Sequence, residues 1–401
     1  MLPCNPYGNA QEMNVDWLIC EIKKALIEWE KMKRDFNSLE EYIRNYFKNL
    51  DVTEEINNKL DEMLSSGELS NLISKYVGFV VNVKQFGAVG DGVTDDTEAF
   101  TNAMASLQNG GTIIIPTGTY IVSGLTLKNN IILEGWNKSL TIIKLKDGAT
   151  SHVIEAGDYD TNATSNENTE DGCIHSGISN LTIDGNKENC PNGKNGFAYY
   201  GLALYVYNVE IKNCNNIGFA CESPGGVYSI EYGHPIQFSI DRLNVHDSNN
   251  GNMYYNGQSD SNLSNILLYE TNGGMKSYNL TLGSKAHGVR IVNIHVWGAS
   301  AYGFINNAIR SEITNGHFES ASIAKIQINE PCTIIGHVYQ ATNENVDDIG
   351  VEIKGASYNY LDLRMNDIKT MFSINSSNYN HIKCIAYTGR DDTVISKNGF
   401  N

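Results

Sequence analysis

The sequence predicts a mainly β chain folded as a solenoid of parallel strands, with a separate helical stalk in front of it. Three observations support this fold class. Short segments that alternate apolar and polar residues recur between residues 178 and 385. A glycine-punctuated turn and a short helical pattern precede them at residues 83–100. A heptad pattern occupies residues 15–50.

The heptad pattern predicts that residues 1–78 form a helical stalk for attachment or assembly. Apolar residues step by three and four without a slip, at Val15, Leu18, Ile22, Ala25, Trp29, Met32, Phe36, Leu39, Ile43, Tyr46 and Leu50. Sustained heptads indicate a coiled coil, and bulky aromatic residues at a positions favour a homotrimer. Ser38 and Glu41 also fit a capping box, so an intramolecular helical bundle is the alternative.

Residues 79–150 are expected to form the N-terminal cap and the first coils of the solenoid. Val80–Val83 has the pattern of a short strand. The turn after it is punctuated by Gly87, Gly90 and Gly92. Asp95 and Glu98 have the spacing of a capping box at the start of a helix. We interpret Asp91, Asp95 and Asp96 as cap and turn residues rather than as a catalytic group.

Residues 151–401 carry the repeats. The central apolar residues of the successive segments are Ile183, Ile211, Val245, Leu268, Val296, Phe318, Val338, Leu363 and Cys384. Their spacing is typical of coils that stack at about 4.8 Å and bury one face of each strand. A second strand is expected in many coils, for instance at 219–222, 253–256 and 275–278. Polar stretches at 155–176 and 185–200 are predicted to leave the coil as loops.

Composition excludes several function classes. A formal net charge of −17 argues against binding to nucleic acid. No run of 18 apolar residues predicts a membrane span, and no signal peptide is visible. The eight cysteines form no C-x-x-C pair, so we expect free thiols, no zinc and no cofactor. The six carboxylates within 155–176 leave a Ca²⁺ site as the alternative to a solvated loop.

Alternate residues of each first strand point outward and form columns along the solenoid. One column comprises Asp184, Lys212, His246, Tyr269, Trp297, Glu319, Tyr339 and Arg364. Aromatic faces that stack on pyranose rings, mixed with charges that fix hydroxyls, indicate glycan binding. We therefore predict a glycan-binding surface made of His246, Tyr269, Trp297, Glu319 and Tyr339, with Tyr254 of a second strand.

Three carboxyls are candidate catalytic residues. Asp247 and Glu270 follow the first strand on adjacent coils, and Glu222 points outward from a second strand. Glycoside hydrolysis needs two carboxyls about 5 Å apart for retention or about 6.5–9.5 Å apart for inversion. Adjacent coils can supply the shorter spacing. For each of the three, the alternative is a side chain that is solvated or that hydrogen-bonds groups at a corner of the coil.

Residues 83–100, with the strand segment Gly110–Tyr120 and its turn at Pro116–Gly118, resemble the opening of the pectate-lyase-like superfamily, which has the pectin lyase fold. This resemblance implies that the solenoid is a right-handed parallel β-helix. The Asp-Asp pair and Gly-His-Gly element of polygalacturonases, which share the fold, are missing, so their mechanism is not transferred.

The N-terminal segments are similar to those of tailspike and neck (preneck) appendage proteins from phages of Gram-positive bacteria. The similarity lies in Asn5-Pro6-Tyr7-Gly8, Asp16-Trp17, Leu50-Asp51-Val52, Lys59–Met63 and Ser66–Leu69. It implies a virion protein, made in the host cytoplasm, whose stalk attaches to a collar, tail or baseplate protein. The β-helix would then bind and degrade a capsule or teichoic acid as a hydrolase or lyase. A receptor-binding spike without turnover and a bacterial pectin-active enzyme are the alternatives.

Overall fold

The structure is a computed structural model that describes Glu62 and residues 80–162, 173–223, 238–257, 261–271, 277–298, 301–340, 349–375, 377, 379–387 and 394–398. The heptad segment lies outside the described residues, so the helical stalk and the homotrimer stay predictions. Val81–Asn401 forms one compact unit. Among the described residues, no helix is long and apolar enough to cross a membrane.

Two sheets, A and B, contain the strands. Sheet A comprises β1 (Val80–Asn82), β2 (Asp91–Asp95), β3 (Gly111–Ile115), β4 (Gly118–Val122), β6 (Ile131–Gly135), β7 (Thr141–Leu145), β10 (Gly177–Ser179), β11 (Thr182–Asp184), β13 (Tyr205–Lys212), β15 (Ser239–His246), β17 (Asn262–Tyr269), β19 (Arg290–Trp297), β21 (Ser311–Glu319), β23 (Cys332–Tyr339), β25 (Tyr360–Asn366) and β27 (His381–Tyr387). Sheet B comprises β5 (Leu125–Leu127), β8 (Ile154–Ala156), β9 (Cys173–Ile174), β12 (Phe197–Leu202), β14 (Ile217–Glu222), β16 (Gly251–Asn256), β18 (Tyr278–Leu282), β20 (Tyr302–Asn306), β22 (Ala324–Ile328), β24 (Ile349–Lys354), β26 (Thr370–Asn375) and β28 (Val394–Asn398).

From β12 onward the chain alternates between the two sheets, so each coil gives one strand to each sheet. Successive strands within a sheet run parallel, as β13, β15 and β17 do in sheet A. The predicted solenoid is therefore confirmed as a parallel β-helix. Its interior contains a buried column made of Ile183, Ile211, Val245, Leu268, Val296, Phe318 and Val338. The six cysteines within the described residues are free thiols, as expected.

The predicted alignment is wrong in the last coils. Val338 pairs with Met365 rather than with Leu363, and His337 pairs with Arg364. Arg364 therefore leaves the outward column to which it was assigned, and Asn366 pairs with Tyr339 instead. A shift of two residues preserves the alternation of inward and outward side chains, so the sequence pattern cannot detect it.

A ladder of left-handed residues bends the long strands of sheet A. The residues with positive φ at this corner are Asn180, Asn208, Arg242, Asn265, Asn293 and Asn315. Asn293 donates to Oδ1 of Asn265 at 3.1 Å and accepts from Nδ2 of Asn315 at 2.8 Å. Asparagine suits this corner because it tolerates positive φ and its amide both donates and accepts. The ladder stops at Asn315, where the pairing of β21 with β23 shifts register.

The N-terminal cap differs in one detail from its prediction. Helix α1 (Thr97–Ser106) has Asp96 as its N-cap, not Asp95. The Asp96 carboxylate does not cap the helix but accepts from the main-chain N–H groups of Val89 and Gly90, at 2.6 and 3.0 Å. The predicted capping box is therefore wrong, whereas the interpretation of these aspartates as turn residues is confirmed.

Boundaries of the insertions and second strands also differ from expectation. The insertion expected at 185–200 ends earlier, because β12 begins at Phe197. Part of the insertion at 155–176 is ordered as helix α2 (Tyr159–Asn162), and its residues 163–172 lie outside the described residues. The second strand expected at 275–278 is β18, which begins at Tyr278. The other second strands lie close to their predicted positions.

Replacing Asn293 by alanine is expected to lower the free energy of unfolding by about 2–5 kcal/mol. The change removes two side-chain hydrogen bonds, each worth about 0.5–1.5 kcal/mol, and forces alanine into positive φ at about 1–2 kcal/mol. Urea unfolding followed by tryptophan fluorescence measures the loss. Asn293→Gly is the control, because glycine adopts positive φ without strain and should lose less. An equal or larger loss in the glycine variant would contradict the assigned backbone strain.

Candidate functional site

Sheet A brings together the outward column that was predicted to bind a glycan. His246, Tyr269 and Trp297 lie in register on β15, β17 and β19. Glu319 and Tyr339 continue the column and pair with each other on β21 and β23. We call these five residues the sheet A strip.

The three rings of the strip stack on one another. His246 and Tyr269 stack with their centroids 4.4 Å apart, and Tyr269 and Trp297 with theirs 5.2 Å apart, both at an interplanar angle of 10°. Both faces of Tyr269 are thus covered, so Tyr269 offers a ligand only its ring edge and hydroxyl. Trp297 has one face against Tyr269, and its other face is turned toward β21. Trp297 therefore keeps one face that no other ring of the strip covers.

Glu319 follows Trp297 in the column. Its Oε1 is 3.3 Å from Nε2 of His295, and it also hydrogen-bonds Tyr339. Burial acts to raise the pKa of Glu319, but these hydrogen bonds outweigh burial and lower the pKa. Burial, and after it Glu319, raises the pKa of Tyr339 to about 12. An ionised carboxylate beside an aromatic ring can orient sugar hydroxyls.

At the other end of the strip, a histidine lies between two carboxylates. Nδ1 of His246 is 2.7 Å from Oδ2 of Asp247, and Nε2 is 3.0 Å from Oε1 of Glu210. Burial acts to lower the pKa of His246, but the hydrogen bonds to Glu210 and Asp247 outweigh it and raise the pKa. The hydrogen bond to His246 in turn lowers the pKa of Glu210 to about 2. This geometry favours an imidazolium that links β13 to β15.

The register places Asp247 and Glu270 on adjacent coils, as predicted, but their environment suits a corner. Oδ1 of Asp247 accepts from the N–H and the hydroxyl of Thr271, both at 2.8 Å, while Oδ2 bonds His246. Burial acts to raise the pKa of Asp247, but hydrogen bonds led by the Thr271 N–H lower it. Glu270 is 3% exposed. These contacts favour the alternative in which the carboxyls hydrogen-bond groups at the corner, rather than an accessible pair of catalytic carboxyls.

Sheet B carries the other part of the site. Glu222 on β14 is 6% exposed, and its Oε2 accepts from Nδ2 of Asn256 at 3.0 Å and from Nζ of Lys285 at 3.4 Å. Tyr254 also hydrogen-bonds Glu222. We call Glu222, Tyr254, Asn256 and Lys285 the Glu222 cluster. The structure thus joins one predicted catalytic residue to one predicted glycan-binding residue.

Burial dominates the electrostatics of this cluster. It raises the pKa of Glu222, and the opposing effects of Lys285, Asn256 and Tyr254 do not reverse the shift. Burial, followed by the charge of Glu222, raises the pKa of Tyr254 well above its ordinary range. A carboxyl that keeps its proton to higher pH than usual is suited to act as a general acid.

Part of the first insertion lies over the cluster. Tyr159 on α2 is close enough to Glu222, Tyr254 and Tyr278 for their charges to raise its pKa, although burial is the larger cause. Burial also raises the pKa of Tyr278 to about 12. Tyr159 and Tyr254 therefore lie close to the buried carboxyl, and Tyr278 lies close to these two tyrosines.

A group of potential metal ligands anchors α2. His152, Glu155 and Asp160 place ligand atoms within 4.8 Å of one another. Nδ1 of His152 accepts from the Asn195 N–H, so Nε2 carries the proton and donates to Oδ1 of Asp160 at 3.0 Å. Asp160 also forms an ion pair with Lys194. The geometry fits a hydrogen-bonded clamp, and the calcium alternative for the rest of this insertion stays a prediction.

Glu222 and Asp247 lie near opposite ends of the strands of sheet B. Asp247 precedes β16, which begins at Gly251, whereas Glu222 pairs with Asn256 at the carboxyl end of β16. Five residues of strand separate these positions by about 16 Å. The three predicted catalytic carboxyls are therefore not brought together as one group.

Sequence reasoning missed Glu210, Lys285 and Tyr159. Glu210 is two residues before Lys212 and hence on the same outward face, a signal that was available. Lys285 lies in the turn after β18, and Tyr159 lies in an insertion. Neither residue occupies a repeat position, so no register could be inferred from which to place them.

The comparisons with known proteins agree with this architecture. Residues 80–234 match the family model described as rhamnogalacturonase A/epimerase, pectate lyase-like, which confirms the resemblance inferred from residues 83–118. Alginate lyase 7 of Azotobacter vinelandii is 36% identical over 159 residues, which is 34% of this chain and 17% of that protein. The pre-neck appendage protein of Bacillus phage phi29 is 32% identical over 164 residues, which is 39% of this chain and 17% of that protein. The similarity to phage appendage proteins is thus confirmed, although the matches span under a fifth of either relative.

Solved structures support the fold. The crystal structure of pre-mature bacteriophage phi29 gene product 12 superposes with a TM-score of 0.57 at 16% identity, covering 80% of this chain and 47% of that one. At this identity the likeness concerns the fold alone. It extends the parallel β-helix match well beyond residue 234.

Replacing His246 by glutamine is expected to change how stability depends on pH. Because the pKa of folded His246 is raised, its stabilising contribution is fully present below about pH 6.5 and is lost as pH rises through the raised value. The difference in free energy of unfolding between the wild type and His246→Gln should therefore shrink as pH rises. Urea titrations at a series of pH values measure it, with His381→Gln as the control at an exposed histidine. A difference that stays constant with pH would contradict the imidazolium assignment.

Proposed function

We propose that this chain is a phage appendage protein that binds a glycan of the bacterial surface and cleaves it at the Glu222 cluster. The observation that carries the proposal is the buried Glu222 carboxyl, whose pKa is raised beside Tyr254 and Lys285. Relatives named as a pre-neck appendage protein and as an alginate lyase support the two halves of the proposal.

The proposed chemistry uses Glu222 as the general acid. Hydrolysis and elimination both break the bond from a sugar carbon to the glycosidic oxygen, and that oxygen gains a proton as it leaves. In hydrolysis a water molecule adds to the carbon and releases a proton to solvent, whereas in elimination the neighbouring carbon loses a proton to solvent and a double bond forms. Protonated Glu222 would donate this proton and become a carboxylate. Lys285, with Nζ 3.4 Å from Oε2, would stabilise the new negative charge, and Asn256 would hold the carboxyl in place.

The finer parts of the proposal rest on the sequence. The target would be a capsule or teichoic acid, and residues 1–78 would attach the protein to a collar, tail or baseplate component. A homotrimer and a location in the virion complete this picture. The relatives named as appendage proteins support the virion location.

Replacing Glu222 by glutamine is expected to lower the rate of glycan cleavage by about 10²–10⁴-fold, because the amide cannot donate the proton. Size-exclusion chromatography of capsule and cell-wall glycans incubated with each protein measures the products. In the wild type, the rate should fall as pH rises through the raised pKa of Glu222, since only the protonated form acts.

Glu312→Gln is the matched control for this experiment. Glu312 is a half-exposed carboxylate on sheet A, paired with Arg290, and lies outside both parts of the site. The Glu312→Gln variant should cleave the glycan at the wild-type rate. Cleavage by Glu222→Gln at the wild-type rate would exclude Glu222 as the acid. Loss of cleavage in both variants would point to a general defect.

A receptor-binding spike without turnover is the second candidate function. It is favoured by Asp247, whose two carboxylate oxygens are already bonded, and by Trp297, one face of which no other ring of the strip covers. In this case the sheet A strip binds the glycan. Neither the wild type nor Glu222→Gln forms a cleavage product, so the two proteins give the same result in the cleavage assay.

Replacing Trp297 by alanine is expected to weaken attachment to host cells about tenfold, because the change removes the aromatic platform. Binding of fluorescently labelled protein to cells, titrated to half-saturation, measures the effect. Trp136→Ala is the control, since Trp136 is 59% exposed and lies outside the strip. Equal loss in both variants, or no loss in Trp297→Ala, would contradict the role of the strip.

A further inference from the structure

One buried hydroxyl beside the Glu222 cluster has no hydrogen-bond partner in the described part of the chain. Thr281 lies on β18, in register with Tyr254 on β16 and with Ile305 on β20. It occupies the outward face of sheet B, yet it is only 7% exposed. Its Oγ1 makes no hydrogen bond with any residue that the structure describes. A buried hydroxyl left in this state is costly, and native proteins satisfy nearly all such groups with protein, water or ligand.

The neighbouring polar groups on this face are satisfied. Asn256 donates to Glu222, and its Oδ1 accepts from the Lys285 N–H at 2.8 Å. Further along the same face, Gln327 donates to Glu352 at 2.9 Å. The contrast singles out Thr281, directly beside a residue that hydrogen-bonds the proposed general acid.

We propose that the Thr281 hydroxyl is a subsite that hydrogen-bonds a hydroxyl group of the bound glycan. This inference rests on the proposed function, because the ligand is the polymer that Glu222 cleaves. A threonine hydroxyl both donates and accepts, so it matches a sugar hydroxyl without requiring a charge. Thr281 is thus assigned as a specificity-determining residue rather than a catalytic one.

The position of Thr281 also indicates how the bound glycan lies relative to the solenoid axis. β14, β16 and β18 are successive strands, so Thr281 lies two strand spacings, about 9.6 Å along the solenoid axis, from the strand of Glu222. Tyr254 lies between them on β16. A glycan that contacts all three side chains therefore crosses the strands of sheet B and runs along the axis. Its units beyond the cleaved bond reach Thr281.

Thr281→Val and Thr281→Ser separate this role from a structural one. Valine has nearly the shape of threonine and removes only the hydroxyl, whereas serine keeps the hydroxyl and loses the methyl group. Thr281→Val should be as stable as the wild type or more stable, because an unpartnered buried hydroxyl is lost. Its KM for the glycan should rise about threefold to tenfold with little change in kcat, which corresponds to one lost hydrogen bond. Thr281→Ser should keep the wild-type KM.

Both stability and binding are measured, by urea unfolding and by cleavage kinetics on the host glycan. Opposite effects on the two quantities support the subsite. If Thr281→Val is destabilised and its KM is unchanged, the hydroxyl bonds only an ordered water and the proposal is wrong. An unchanged KM with unchanged stability overturns it equally.

A binding experiment distinguishes failure of this inference from failure of the proposed function. Oligosaccharides released from the host glycan by acid are tested by saturation-transfer NMR against the wild type and Thr281→Val. Binding to the wild type that is weakened in Thr281→Val supports the subsite even where no cleavage occurs. Cleavage and binding that are equal in both proteins overturn the subsite while the proposed function stands. Absence of both activities in the wild type overturns both proposals.

Discussion

Parallel register between successive coils is the constraint on which this structure depends. Each strand pairs with the equivalent strand of the next coil, so every side chain lies about 4.8 Å from its counterparts before and after it. A column is stable only where its members accept each other at that distance. Apolar residues do so by packing, asparagines by amide-to-amide hydrogen bonds, and aromatic rings by stacking.

The same constraint limits where function can lie. In a regular column the side chains use their contact surfaces on one another. Tyr269 is an example, because His246 and Trp297 cover its two faces. Binding capacity remains where the kind of residue changes from one coil to the next. Trp297 is followed by Glu319, so the column offers its second face no ring to stack on. Thr281 follows Tyr254, and its hydroxyl gains no partner from that column.

The two sheets shift the pKa of their carboxyls in opposite directions. On sheet A, hydrogen bonds to histidines and to a main-chain N–H keep Glu210, Asp247 and Glu319 at lowered pKa. On sheet B, burial raises the pKa of Glu222 despite the nearby Lys285. The sheet A carboxylates are therefore suited to orient charged or hydroxyl groups, whereas Glu222 is suited to give up a proton. This division follows from burial and partners, since the residue types are the same.

The sequence by itself determined the parallel solenoid, the inward column around Val245 and the outward set from His246 to Tyr339. The inward and outward columns both follow from alternation with period two, which is a local property of each strand. Only the tertiary structure decided the register of the last coils, because a shift of two residues leaves that alternation intact. Only the tertiary structure brought Lys285 and Tyr159 to Glu222, because a turn and an insertion carry no repeat position. The ionisation of each carboxyl was likewise decided there, since it depends on burial and on contacts between residues far apart in the chain.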